Sequence, residues 1–257
     1  MIKVAVAGSS GRMGQAVVDA INAADDMTVV CGVDPHPLGT ETFPVHPSVE
    51  EAFSAEEADV MVDFTRPDVA AANIHCALSH SVDCVVGTTG LTLEEMEALA
   101  EAAPEGACLF FAPNFTTGAV LMMQFAKAAA PYFPEAEIVE FHHCRKKDAP
   151  SGTAAMTARM IAEGRGGRVS AAPGKETEIP GAEGARGALI EGVPVHSVRS
   201  NGFVADQEVI FGDAGQTLTL HHVSWDTGSY MPGVLLGIRE VGQRSGLVTG
   251  LESIMDL

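Results

Sequence analysis

Cations and aromatic rings are both scarce in this chain. Only 15 of its 257 residues are Lys or Arg against 34 Asp and Glu, a formal net charge of -19. A surface of that sign repels polyphosphate, which argues against a nucleic-acid partner. One Trp, two Tyr and 11 Phe supply too few rings for the stacking platforms that hold single strands. Cysteine is thin as well: Cys31, Cys76, Cys84, Cys108 and Cys144 are odd in number, scattered and never spaced as CxxC. That excludes a disulfide framework and a zinc ribbon, and they read as reduced, mostly structural thiols. No apolar run approaches bilayer length, and Met1 to Gly8 is too short for a signal peptide. The expectation is a cytoplasmic chain with no membrane partner.

What is present is the material of a folded core, with 46% apolar residues in a length that suits one large or two modest domains. Ile2 to Ala7, Met27 to Val33, Asp59 to Phe64, Asp83 to Val86 and Ala107 to Phe111 read as short apolar strands. Between them, helical periodicity runs over Arg12 to Ala24, Ser48 to Ala55, Pro67 to Leu78 and Leu93 to Ala103. Strands alternating with helices predict right-handed crossovers and a parallel sheet covered on both faces. After Asn114 the pattern changes. Helices are expected at Thr117 to Tyr132 and Ser151 to Glu163, a strand at Glu137 to Phe141, and a mobile loop from Gly164 to Gly192. Val193 to Arg199 and Phe203 to Phe211 flank Asn201-Gly202, which predicts a hairpin, and Gln216 to Ser224 follows a second glycine turn. Tyr230 to Gln243 closes the chain as a helix returning to the first domain. The predicted architecture is α/β: a Rossmann-type doubly wound domain (1–115), a discontinuous α+β domain with a largely antiparallel sheet (116–225), and a return segment (226–257).

Gly8-Ser9-Ser10-Gly11-Arg12-Met13-Gly14 sits between a predicted strand and helix, a GxxGxxG variant of the dinucleotide fingerprint. Asp34 ends the next strand, where a carboxylate would hold an adenosine ribose diol. It would repel a 2′-phosphate, and no arginine adjoins it, so NADH should be accepted at least as well as NADPH; Arg12 softens that preference. Gly87-Thr88-Thr89-Gly90 and Ala112-Pro113-Asn114-Phe115 fall at the carboxyl ends of later strands, as either cofactor contacts or plain turns.

In so acidic a chain, His142-His143-Cys144-Arg145-Lys146-Lys147 is an unusual concentration of cations, and Asp148-Ala149-Pro150-Ser151-Gly152-Thr153 follows it. Ser151 reads as an N-cap, with Gly152 and Thr153 offering backbone N–H groups to a carboxylate. A site for a small dianion is one reading. A solvated charge run with two hydrogen-bonded histidines at a strand end is the other. No metal is expected, because adjacent histidines on an extended segment point to opposite sides and neither paired Cys nor HExxH accompanies them.

Together these motifs closely resemble the 4-hydroxy-tetrahydrodipicolinate (dihydrodipicolinate) reductases, most like their actinobacterial members, over nearly the whole chain. The resemblance implies an NAD(P)H-dependent oxidoreductase of lysine and diaminopimelate biosynthesis, acting on a small cyclic imine dicarboxylate as a homotetramer. It implies His142 and Lys146 as the catalytic groups, and His143, Gly152 and Thr153 as substrate ligands. Cofactor contacts would come from Gly8, Ser9, Ser10, Gly11, Arg12, Met13, Asp34, Gly87, Thr88, Thr89, Ala112, Pro113, Asn114 and Phe115. One position departs from the family pattern His-His-x-His-Lys: the third histidine is Arg145, which cannot exchange protons near pH 7. Two rival readings remain at this level. One is another two-domain dehydrogenase with Cys144 as its nucleophile; the other is a non-catalytic nicotinamide-sensing protein.

Overall fold

A computed structural model describes residues 1–166 and 177–255 of the chain, so ten residues of the segment read as a mobile loop lie outside the described residues. The chain divides into two compact units, one of Met1–Thr117 with Thr227–Leu257 and one of Gly118–Asp226.

The first unit begins with β1 (Ile2–Ala7), α1 (Arg12–Asn22), β2 (Met27–Val33), β3 (Val45–His46), α2 (Val49–Ala55) and β4 (Val60–Asp63). It continues through α3 (Pro67–Ser79), β5 (Asp83–Val86), α4 (Leu93–Glu101) and β6 (Cys108–Phe111). The strands are short and buried, as strands covered on both faces must be. Local chemistry sets the helix starts. Ser48 accepts the Glu51 N–H at the head of α2, Thr92 and Glu95 form a reciprocal capping box on α4, and Pro67 occupies the first turn of α3.

The second unit is built from α5 (Thr117–Ala129), β7 (Glu135–His142), α6 (Gly152–Gly164), β8 (Ala188–Ile190), β9 (Val193–Arg199), β10 (Ala205–Asp213) and β11 (Gln216–Ser224). Its sheet runs β11-β10-β7-β9-β8. One face packs on the helices through Ile138, Val195, Val209 and Phe211 against Met122, Ala126, Ala158 and Ile161. β10 and β11 are the antiparallel pair that the second glycine turn implies. The predicted β9–β10 hairpin is not formed. β7 lies between the two, parallel to β9 and antiparallel to β10. Asn201-Gly202 therefore turns the chain across the end of β7 rather than between paired neighbours. β8 is a second correction, an edge strand antiparallel to β9 inside the segment read as a loop.

The chain then returns to the first unit as α7 (Met231–Val241) and β12 (Gly246–Thr249). β12 and β3 have two to four residues each, too short to carry an alternation, and sequence periodicity missed both. The finished sheet has the order β12-β6-β5-β4-β1-β2-β3, every pair parallel. No helix among the described residues is long and apolar enough to cross a membrane.

Candidate active site

The order of the first sheet reverses between β1 and β4, and open α/β sheets bind ligands outside the carboxyl ends of the strands at such a reversal. Gly8 leaves β1 there with φ +79°, against the Phe64 backbone that leaves β4. Gly11 stands at the head of α1 without any side-chain cap, unlike Ser48, Thr92 and Ser151 on their helices. The first turn of α1 thus keeps its partial positive charge for an anion. Asp34 follows β2 and is oriented by the Ser10 N–H at 3.2 Å and the His36 N–H at 2.9 Å. A second carboxylate, Glu41, reaches the Ser10 hydroxyl at 3.5 Å and accepts the Leu38 N–H at 2.7 Å. The sequence reading missed Glu41 because it lies in an irregular proline-rich connection.

Gly87 to Thr89 and Ala112 to Phe115 emerge from the ends of β5 and β6 at the same edge. Their side chains are partly committed to the fold. Thr88 donates to Asp63 Oδ1 at 2.7 Å, and that fully buried carboxylate also takes bonds from the Thr65 N–H, the Thr65 hydroxyl and Asn73 Nδ2. Phe115 is buried, with its ring 5.7 Å from that of Phe64 and 5.8 Å from that of Phe110. What Thr88 and Phe115 offer a ligand is backbone.

In the second unit β7 delivers its last residue, His142, between two neighbours, Arg199 of β9 and Ala205 of β10. The Ser200 N–H bonds the His142 carbonyl at 3.0 Å, so the turn after β9 closes over the strand end. Alternation puts Glu140 on the same face as His142, and that carboxylate is 0% exposed. Its Oε2 meets His142 Nδ1. Arg199 forks onto both oxygens, Nη1 to Oε2 at 3.0 Å and Nη2 to Oε1 at 2.8 Å. Burial alone would raise the Glu140 pKa, but bonds from His142, Arg199 and Ser197 overcome it and hold the group at about 2. Neither Glu140 nor Arg199 was among the sequence candidates. An acid in the buried register of a strand, two residues before a histidine, was the available signal.

That depressed pKa has a consequence for acid stability. The folded carboxyl titrates below its ordinary 4.5, so the stability it confers is complete above that pH and is lost as pH falls toward 2. The drop corresponds to about 3 kcal/mol. In denaturant titrations, the stability gap between wild type and Glu140→Gln is expected to close by that amount on going from about pH 6 to pH 2.

Beyond β7, Lys146 Nζ rests on Asp148 Oδ1 at 2.9 Å, which holds the Asp148 carboxyl low. Ser151 caps α6 by accepting the Ala154 N–H at 3.1 Å, leaving the Gly152 and Thr153 amides at the head of the helix. His143 Nδ1 is buried and has no hydrogen-bond partner among the described residues. Arg145 and Cys144 are exposed. The unit therefore combines an oriented imidazole, an ammonium and two helix-terminal N–H groups, which is the chemistry for a carboxylate-bearing substrate that must be protonated. Among the described residues one group has metal-ligand character, Glu50, Cys76 and His80, with donors within 4.8 Å of one another. There the thiol donates to Glu50 at 3.3 Å, and burial with that carboxylate pushes its pKa up to about 11. It is a hydrogen-bonded set.

Comparison with known proteins covers the whole chain. The family model "Dihydrodipicolinate reductase, N-terminus" matches residues 2–115, and "Dihydrodipicolinate reductase, C-terminus" matches residues 118–255. A protein of Mycolicibacterium smegmatis named 4-hydroxy-tetrahydrodipicolinate reductase is 45% identical over 259 residues, covering 100% of both chains. One of the same name from Listeria welshimeri is 46% identical over 268 residues, covering 99% of this chain and 100% of its own. The solved structure of a dipicolinate-bound dihydrodipicolinate reductase from Paenisporosarcina sp. TG-14 superposes with a TM-score of 0.90 at 39% identity. It matches over 99% of this chain and 100% of that one.

Proposed function

The chain belongs to the dihydrodipicolinate reductase family, and from that premise we infer how its residues share the work. It is an oxidoreductase of lysine biosynthesis that reduces 4-hydroxy-tetrahydrodipicolinate to tetrahydrodipicolinate with a reduced nicotinamide dinucleotide. The residues of the first unit fit that nucleotide. The uncapped head of α1 suits a pyrophosphate, with Gly8, Ser9, Ser10, Gly11, Arg12 and Met13 around it, and Asp34 suits a ribose diol. Backbone from Gly87 to Thr89 and from Ala112 to Phe115 would hold the rest. When bound, the nicotinamide supplies hydride.

The dicarboxylate is held by His143 and by the Gly152 and Thr153 amides. The observation that carries this is His143 Nδ1, a buried nitrogen without a partner among the described residues, on the segment that leads to the Gly152 and Thr153 amides at the head of α6. The 4-hydroxyl leaves as water to give a conjugated imine; hydride addition to that imine leaves one electron pair on the ring, and one proton, delivered through His142 and Lys146, quenches it. The test follows NADH oxidation with substrate generated by a coupled condensing enzyme. Pyridine-2,6-dicarboxylate is expected to inhibit competitively against substrate; failure to inhibit wild type, or inhibition left unchanged by His143→Ala, counts against these ligands.

NADH is the preferred nucleotide. Asp34 and Glu41 both reach Ser10, so a 2′-phosphate would enter beside two carboxylates at a cost of about 1 kcal/mol or more. Asp34→Ser with Glu41→Gln is expected to raise kcat/KM for NADPH relative to NADH about tenfold, read from paired steady-state assays. An unchanged ratio would remove the electrostatic account. The face of the second sheet away from its helices carries partly exposed apolar residues such as Val198 and Ile210, which suits assembly into a homotetramer through that sheet.

A further inference from the structure

We propose that Arg199 and Glu140 form a clamp that positions both proton-carrying groups of the second unit, fixing the tautomer of His142 and tethering the segment that carries Lys146. The proposal deepens the reductase reading and rests on it for its kinetic arm.

The guanidinium does two things at once. Its fork neutralises Glu140, which also meets His142 Nδ1 and takes a bond from Ser197. A buried, ionised carboxylate is an acceptor only, so the ring proton must sit on Nδ1, and Nε2 becomes the position that gives or takes a proton. Arg199 Nη2 also donates to the Asp148 carbonyl at 2.7 Å, and the Asp148 side chain holds Lys146 at 2.9 Å. One cation from β9 thus ties together the end of β7 and the segment before α6, residues 51 to 59 positions away along the chain.

Arg199 is also the counterweight to the acids around His142. Glu140 faces the ring from β7, while Asp206 of β10 and Asp148 of the following segment both feel its charge. Without the guanidinium Glu140 would be buried with the imidazole as its nearest cation.

Arg199 and Glu140 act through His142 and Lys146, so they are positioning residues and need a readout that a purely structural role leaves untouched. In ¹⁵N-histidine NMR of the wild-type protein, His142 is expected as the Nδ1–H tautomer. Glu140→Gln should shift it toward Nε2–H and lower kcat about 10–100-fold, with NADH affinity unchanged. Arg199→Met should lower kcat about 10–100-fold with NADH affinity unchanged, and Arg199→Lys should restore part of that loss but not the fork. If Arg199→Met fails to fold, Arg199→Met/Glu140→Gln removes the unpaired buried charge and reports the same tautomer change. A Glu140→Gln protein with the wild-type tautomer and kcat within about twofold overturns the clamp. The tautomer is read without substrate, so a wild-type protein inactive on the dicarboxylate would defeat the reductase reading and leave the clamp to be judged by NMR.

Discussion

Lys146→Ala lowers kcat about 10²–10⁴-fold while nucleotide affinity stays within about twofold of wild type, and His142→Gln does the same. The expectation follows from where each group's proton is held. Lys146 is a compact ammonium with its Nζ at 2.9 Å from Asp148, positioned in the resting protein rather than sweeping solvent. His142 is fixed from behind through Nδ1. Neither belongs to the unit that carries the glycine fingerprint, so the loss should appear in the chemical step. Lys146→Arg sharpens the result: it preserves the charge but replaces a group that can release its proton with one that cannot. A variant that recovers full activity would make Lys146 an electrostatic ligand only. Stopped-flow single turnovers, with NADH binding measured separately by fluorescence, distinguish the two roles.

Gly14→Ala is expected to remove both nucleotide binding and about 3 kcal/mol or more of stability. A Cβ at residue 14 would lie 2.0 Å from the Gly8 carbonyl oxygen, 2.7 Å from its carbon and 2.8 Å from the Ser9 Cα. All three are backbone atoms of the turn that leaves β1, so no rotamer change relieves the clash. Either α1 backs away from the sheet or the turn opens, and each outcome spoils the anion site at the head of the helix. Gly152→Ala is the contrast, because a Cβ there meets nothing within 4 Å. Its melting temperature should stay at the wild-type value, and any loss should fall on substrate KM. Thermal melts of the two variants beside NADH titrations check the pair. A Gly14→Ala protein with wild-type melting and binding would mean that the approach of helix to turn is not needed.

Much of the molecule was legible from local pattern. The strand, glycine turn and helix at the N-terminus, the acid at the end of β2, and Ser151 ahead of α6 are each specified within a few residues, by burial period and by capping chemistry. So were the clustered cations around His142 in a chain of net charge -19. What escaped is what long-range pairing decides. Asn201-Gly202 marks a turn, but a dipeptide cannot say whether its flanks pair with each other, and β7 inserted itself between them. β3, β8 and β12 exist because a neighbouring strand offers them a ladder of hydrogen bonds, which no run of two to four residues can announce.

The site divides along the same line. The sequence by itself fixed which groups carry charge and which segments present backbone N–H to an anion, because those follow from residue type and local capping. Only the tertiary structure decided that Glu140 is ionised in the interior and that Arg199, 59 residues on, keeps it so. The reason is desolvation: a carboxylate out of water survives as a charge only where a fold brings it partners, and those partners came from another strand.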